Sequence, residues 1–225
     1  MVLRLADVLG VAPREQNLML GAAGFAPAFA ETPLDVLGQV SDVLDQVLTA
    51  NEPHVAVVVN RRWDVLRSNL AAQRFVAMVF GDVPSWVSPP MNMMRMVLHP
   101  DGLRPHVVDW EPTAASLLRR LHRDCATHPH DPQLQSLLEE VLTYPDVAAL
   151  GHTAPAASAS DLMLRTTYRI GGEEVSLFTT VMTIGDSHDL TLNELRLETF
   201  WPADADSAQR WQRWQRGVVA NGAAG

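Results

Sequence analysis

The residues best suited to chemistry lie in the stretch Met91–Pro105. Four methionines there surround Asn92 and Arg95 at helical spacing, and Pro100 and Gly102 follow as helix-ending residues. Methionine is unbranched and polarisable, so it suits the wall of an adaptable apolar cavity. An arginine beside an asparagine can bind a carboxylate through the guanidinium fork. The pattern favours an apolar slot with a polar clamp, and the alternative is an ordinary core helix with a surface arginine.

A second group resembles a metal site in its spacing and consists of His122, Cys125, His128 and His130. Histidine is also common in the last turn of a helix, where it interacts favourably with the helix dipole. A solvated helix end is therefore the preferred interpretation, and a small metal-dependent hydrolase is the alternative. Because the sequence lacks a nucleophile-elbow motif, a phosphate-binding glycine loop and a dinucleotide fingerprint, we expect no enzyme and no metal.

Composition limits the classes of partner. The chain has 225 residues and a formal net charge of −9, from 17 Lys and Arg against 26 Asp and Glu. This negative balance argues against DNA binding through the electrostatic field of the chain, because neutralising DNA phosphates requires clustered basic residues. The single cysteine excludes an internal disulfide and suits a reducing compartment. No apolar run reaches the roughly 18–20 residues that span a bilayer, so we expect a cytoplasmic protein and no membrane partner.

Helical periodicity dominates the first two thirds of the chain, interrupted by one hairpin. Helices are predicted at 1–9, 13–23, 34–50, 69–80, 111–126 and 131–142, and the hairpin strands at 54–60 and 63–67. The last third alternates with the period of a strand, which predicts strands at 162–170, 174–184 and 190–201 and a closing helix at 207–216.

These elements predict an α/β (α+β) fold. Three antiparallel strands near the C-terminus, extended by the earlier hairpin, give a five-stranded antiparallel sheet. The order of a strand pair, then helices, then a three-stranded meander is that of a PAS-like sensor domain, in which helices cover a curved sheet around a cavity. Two helices precede this domain.

Several motifs carry a resemblance to a known family. Residues 1–11, 14–17 and 22–27 resemble the last part of an Xre-type helix-turn-helix domain. The segment Arg61–Val65 followed by Asn69 resembles the first hairpin of the MmyB-like regulator ligand-binding domain. Its most diagnostic block is similar to residues 92–95, 98–104 and 108–110, and its last strand is similar to residues 191–204.

The resemblance implies a bacterial, mostly actinomycete, family of transcription regulators whose PAS-like domain accepts a fatty-acid-like ligand. It divides the chain into a helix-turn-helix remnant at 1–30, a ligand-binding domain at 31–217 and a disordered tail at 218–225. The recognition helices would lie before Met1, so DNA is expected as a partner only of a full-length form. The expected function is ligand sensing by a transcription regulator, with a fatty acid or other apolar effector and no cofactor. A dimerisation module without a ligand is a further alternative.

The expected ligand contacts combine the clamp, Asn92 and Arg95, with an apolar wall. The wall residues predicted from the sequence are Phe75, Met78, Met93, Met94, Leu98, Phe178 and Met182. A homodimer is also expected. The helices predicted at 1–9 and 13–23 present apolar faces, and no later segment has spare apolar surface to cover them.

Overall fold

The computed structural model describes residues 1–81, 87, 89–153, 165–184 and 189–222. The first half contains helices α1 (Val2–Val8), α2 (Pro13–Ala22), α3 (Gly38–Ala50), α4 (Leu70–Phe80) and α5 (Met93–Leu98), with strands β1 (Val55–Val59) and β2 (Val65–Ser68) between α3 and α4. The second half contains a short 3₁₀ helix (Arg104–His106), α6 (Trp110–Thr127), α7 (Pro132–Leu142), α8 (Val147–Thr153), β3 (Arg165–Ile170), β4 (Glu173–Thr183), α9 (Leu190–Glu194), β5 (Arg196–Pro202) and α10 (Ala205–Gly222).

The five strands form one antiparallel sheet in the order β2-β1-β5-β4-β3. This confirms the predicted five-stranded PAS-like sheet covered by helices and preceded by two helices. The hairpin between β3 and β4 turns at Gly171 and Gly172, which have φ values of +60° and +82°. Such values are accessible to glycine at little cost, so the Gly-Gly pair sets this turn.

Helices cover both faces of the sheet, and each face has its own core. One face packs against α3 through a small cluster that includes Leu44, Leu48, Val58 and Leu197. The other face packs against a much larger cluster, which draws residues from α4 to α7 and from α10. Strand β1 is buried along its whole length because it lies inside the sheet between these two layers.

Side-chain caps begin two of the predicted helices. Asn69 accepts a hydrogen bond from the Ala72 amide at the start of α4, and Asp131 accepts hydrogen bonds from the Gln133 and Leu134 amides at the start of α7. These contacts satisfy amide groups that the first turn of a helix otherwise leaves without a partner.

The structure differs from the prediction at four places. The segment predicted as the start of the last strand is helix α9, because Asp189 caps it by accepting hydrogen bonds from the Thr191 and Leu192 amides. Helix α3 begins at Gly38 because a turn closes from the Val36 amide to the Pro33 carbonyl. Helix α8 was not predicted. Helix α10 continues to Gly222, so residues 218–222 of the predicted tail are helical, and 223–225 lie outside the described residues.

Candidate functional site

A cavity of about 410 Å³ lies between the sheet and helices α4 to α6. On the sheet side its wall follows the strand register, since Val57 pairs with Glu198, and Phe200 pairs with both Val55 and Thr179. Thr166 and Leu177 form a further pair on the same face. Alternate residues of a strand point to the same face. Strand β2 adds Val65 and Ser68, so all five strands contribute residues to the cavity wall.

The helical side of the cavity is mostly apolar. Helix α4 contributes Ala72 and Phe75, α6 contributes Leu117, and α5 with the residues before it contributes Met91, Met93, Met94 and Met96. The methionine-rich stretch is therefore cavity wall, as its composition suggested, and its flexible side chains can adapt to different ligand shapes. Gln73 and Ala77 line the cavity and are also exposed, so the cavity reaches the protein surface beside α4.

Two charged side chains, Arg120 and Glu198, line the mostly apolar cavity. Arg120 donates a hydrogen bond of 2.9 Å from Nη2 to Oε1 of Glu198, and only 3% of the Glu198 side chain is exposed. The Arg120 guanidinium carbon also lies 4.5 Å from the centre of the Trp63 ring, a cation–π distance. Trp63 is itself fixed by a hydrogen bond of 3.0 Å from its indole nitrogen to Asp124.

Tyr168 adds a hydroxyl to this polar part of the cavity. Burial raises the pKa of Tyr168 above its ordinary value, and the negative charge of Glu198 raises it further. The phenol is therefore neutral at physiological pH and can donate a hydrogen bond. Within the described part of the chain no hydrogen bond to the Tyr168 hydroxyl is formed. Such a group inside a cavity is available to a ligand.

The structure places some of the predicted wall residues at the cavity and others away from it. Phe75, Met93 and Met94 line the cavity, whereas Met78 and Leu98 belong to the surrounding core and are absent from its wall. The structure places Phe178 and Met182 outside the cavity wall. Phe178 pairs with Trp201, and Met182 pairs with Leu197, on the face of the sheet that packs against α3. Neighbouring residues of a strand point to opposite faces of the sheet. Leu177 lines the cavity, so its neighbour Phe178 faces away from it, and Met182, four positions further along β4, faces away as well.

The structure also places the two residues of the predicted polar clamp outside the cavity wall. The Asn92 side chain caps α5 by accepting hydrogen bonds from the Met94 and Arg95 amides, and it donates to the Arg62 carbonyl and to Asp64. Arg95 forms a two-pronged ion pair with Glu140 of α7, with contacts of 2.7 and 2.8 Å. Neither residue is among the described residues that line the cavity.

Arg95→Ala is therefore expected to leave ligand affinity within about twofold of the wild-type value. The Arg95–Glu140 pair is more than a third exposed on both sides, so its loss should cost at most about 1 kcal/mol of unfolding free energy. Titration calorimetry with decanol as probe and urea denaturation would measure the two effects. A tenfold or greater loss of affinity would restore the clamp interpretation.

The four residues of the possible metal site do not come together. Cys125 is buried and its thiol contacts the Leu134 carbonyl at 3.6 Å, while His122 and His130 are exposed. Burial raises the pKa of the Cys125 thiol, which disfavours the thiolate that a metal or a nucleophilic mechanism requires. Among the described residues, no group of three or more His, Cys, Asp or Glu side chains is placed to hold a metal ion.

Sequence reasoning missed Arg120, Glu198 and Tyr168. One signal was available, because Glu198 is an acidic residue in the middle of a strand whose neighbours Leu197, Thr199 and Phe200 favour β-structure. A charged residue inside such a strand is seldom buried without a partner or a function. The partner could not be inferred, because Arg120 lies 78 positions away in the sequence.

A network of ion pairs joins the cavity wall to the N-terminal helices. Arg61 is 8% exposed and contacts Asp131 at 2.6 Å and Glu194 at 2.7 Å. Arg14 of α2 contacts the same Glu194 at 2.7 Å. Two residues after Arg61 in the chain, the carbonyl of the cavity residue Trp63 accepts a hydrogen bond from the amide of the cavity residue Met93.

Asp131 makes the stability of this network depend on pH. Burial alone would raise the pKa of Asp131, but hydrogen bonds from Arg62, Arg61 and the Leu134 amide outweigh it and lower the pKa to about 2. A lowered pKa contributes stability that is present above the ordinary value near 3.8 and is lost as the pH falls towards 2.

Asp131→Asn is accordingly expected to cost about 2 kcal/mol of unfolding free energy at pH 6. Asparagine is a comparable helix cap, so the variant removes the charge and retains the cap. The difference from the wild type should shrink between pH 4 and pH 2, as measured by urea denaturation of both proteins. A difference that stays constant over this range would contradict the assigned cause.

Residues 40–213 match the family described as MmyB-like transcription regulator ligand binding domain. The match covers β1 to β5 and every helix that lines the cavity. A comparison with curated proteins gave no match.

Proposed function

The chain belongs to the family of MmyB-like transcription regulator ligand-binding domains, and on that premise we propose that its cavity binds a fatty-acid-like or other apolar small molecule as an effector. The family is one of ligand-sensing domains of transcription regulators. The proposal adds the chemical class of the ligand and its location.

The composition and volume of the cavity carry this proposal. A volume of about 410 Å³ lies within the roughly 300–1,000 Å³ of typical small-molecule sites. Its walls are mainly aliphatic, aromatic and thioether side chains. The polar groups come from Arg120, Glu198 and Tyr168 and from the neutral side chains of Ser68, Gln73, Thr113, Thr166 and Thr179. An acyl chain that enters this space exchanges water for apolar contacts, which favours binding by about 0.8 kcal/mol per buried methylene group.

The ion-pair network supports a regulatory role. We propose that residues 1–30 are the end of an Xre-type helix-turn-helix domain and that 31–217 form the ligand-binding domain. Arg14 of α2 shares Glu194 with Arg61, which lies two positions before the cavity residue Trp63. A ligand that repositions this segment would then change how firmly α2 is held. Coupling of this kind requires that the ligand binds the two arrangements with different affinity.

The proposed partners follow from the surface. Helices α1 and α2 leave Leu5, Val8, Leu9 and Leu18 exposed, and a homodimer that covers them stays a prediction. We propose that DNA contact is made by the recognition helices of an Xre-type domain to which α1 and α2 would belong. The net charge of −9 on this chain disfavours DNA contact by the ligand-binding domain itself. No helix in the described part of the chain has the length and apolar character needed to cross a membrane.

Thermal unfolding with and without a probe tests the proposed function. Decanol at about 100 times its dissociation constant should stabilise the protein by about 2.7 kcal/mol, because it binds the folded state alone. Organic extraction of the purified protein, followed by mass spectrometry, should also reveal apolar molecules that co-purify with it. Absence of both effects, for decanol and for decanoate, would overturn the proposal.

A further inference from the structure

The charges inside the cavity bear on the head group of the ligand, an argument that rests on the proposed function. Glu198 and Arg120 are the charged side chains among the described residues of the cavity wall. They form an ion pair with each other, so the polar part of the cavity has no net charge. Glu198 is the more deeply buried partner, with 3% of its side chain exposed against 23% for Arg120.

A carboxylate head group would be poorly received at this position. The Arg120 guanidinium already donates to Glu198, and a second carboxylate would approach a buried negative charge in surroundings that screen it weakly. Arg95 does not offset this charge, because it is paired with Glu140 outside the cavity wall.

A neutral head group meets complementary partners instead. The Glu198 carboxylate has oxygen lone pairs that accept hydrogen bonds, and an ionised carboxylate has no proton to donate. A ligand hydroxyl or amide N–H can donate to it without adding charge. The Tyr168 hydroxyl, which has no hydrogen bond within the described residues, can donate to an oxygen of the same head group. Hydrogen bonds to charged groups contribute about 1.5–3 kcal/mol each.

We infer that the effector is an uncharged amphiphile, with an acyl or alkyl chain along the methionine wall and a hydroxyl or amide donor bound by Glu198. Arg120 orients the Glu198 carboxylate, and Tyr168 donates to the oxygen of the head group. The chemical class is therefore that of fatty alcohols and fatty amides, in preference to fatty-acid anions.

Three probes of equal chain length test this inference on the wild-type protein: decanol, decyl methyl ether and decanoate at pH 7.5. Decanol is expected to bind about tenfold more tightly than the ether, although the ether is less polar, because the ether lacks a donor for Glu198. Decanol is also expected to bind about tenfold more tightly than decanoate. Titration calorimetry gives the three dissociation constants, and no variant is needed for this comparison.

Glu198→Gln then separates the role of the charge from the solvation of the probes. The variant should bind decanoate about tenfold more tightly than the wild type does, and its preference for decanol over the ether should fall. An ether that binds as tightly as decanol, or a preference against decanoate that survives Glu198→Gln, would overturn the inference about the head group and leave the proposed function in place. If none of the three probes binds the wild type and no apolar molecule co-purifies with it, the proposed function fails and the inference falls with it.

Discussion

Ala72→Phe is expected to weaken the binding of decanol roughly 5- to 150-fold. Ala72 lies on α4, is 5% exposed and forms part of the cavity wall, so a phenyl ring attached there occupies space that the ligand needs. Forcing an extra ring into a filled site costs about 1–3 kcal/mol, which corresponds to a roughly 5- to 150-fold loss of affinity. The unliganded protein should keep its stability, because the ring enters existing empty space. Calorimetric titration and urea denaturation measure these two quantities.

A matched control lies on the same helix. Leu70 is half exposed and is not part of the cavity wall, so Leu70→Phe adds a ring to the surface of α4. This variant should bind decanol with the wild-type affinity. Equal losses for Ala72→Phe and Leu70→Phe would mean that the effect arises from α4 in general, and would count against the cavity as the binding site.

Gly102→Ala should produce the largest loss of stability among the substitutions considered. A β-carbon at position 102 would overlap the Met96 carbonyl oxygen and would lie 3.1 Å from the His99 carbonyl oxygen. Both atoms are backbone, and the Met96 carbonyl already accepts a hydrogen bond of 2.6 Å from the Leu103 amide. Because backbone cannot move aside as a flexible side chain can, the end of α5 must shift.

We expect this shift to lower the unfolding free energy by about 2–3 kcal/mol, or the melting temperature by roughly 4–12 °C. Ligand affinity should fall as well, since α5 carries Met93, Met94 and Met96 of the cavity wall. Gly21→Ala is the matched control: position 21 lies inside α2, and an added β-carbon there meets nothing within 4 Å. That control should be neutral, or more stable by up to about 1 kcal/mol. A Gly102→Ala protein as stable as the wild type would show that the turn after α5 is not a rigid brace.

The fold could be predicted from the sequence because its signals are local. Asn69 and Asp131 precede their helices at cap positions, and the Gly171-Gly172 pair separates two alternating segments. Each of these features is specified by residues within a few positions of one another. Local signals gave the wrong prediction after Asp189. The apolar residues there also suit a strand, but Asp189 is an N-cap that starts the short helix α9.

The site was less predictable because its geometry depends on distant contacts. Alternation shows that Leu177 and Phe178 point to opposite faces of β4, but both faces are covered by helices, so the pattern does not indicate which face lines the cavity. The arginines raise the same difficulty. Arg95 is paired 45 positions away with Glu140, and Arg120 is paired 78 positions away with Glu198, and only the folded chain shows which pair lies in the cavity.

The most direct test of the central claim is the response of the methionine methyl groups to a ligand, measured by NMR with labelled methyls. Met91, Met93, Met94 and Met96 line the cavity, whereas Met182 lies on the opposite face of the sheet and Met19 lies on α2. Addition of decanol is predicted to shift the methyl signals of the four cavity methionines and to leave those of Met19 and Met182 in place. Shifts confined to Met19 or Met182, or no shift at the cavity methionines at saturating decanol, would contradict the assignment of this cavity as the ligand site.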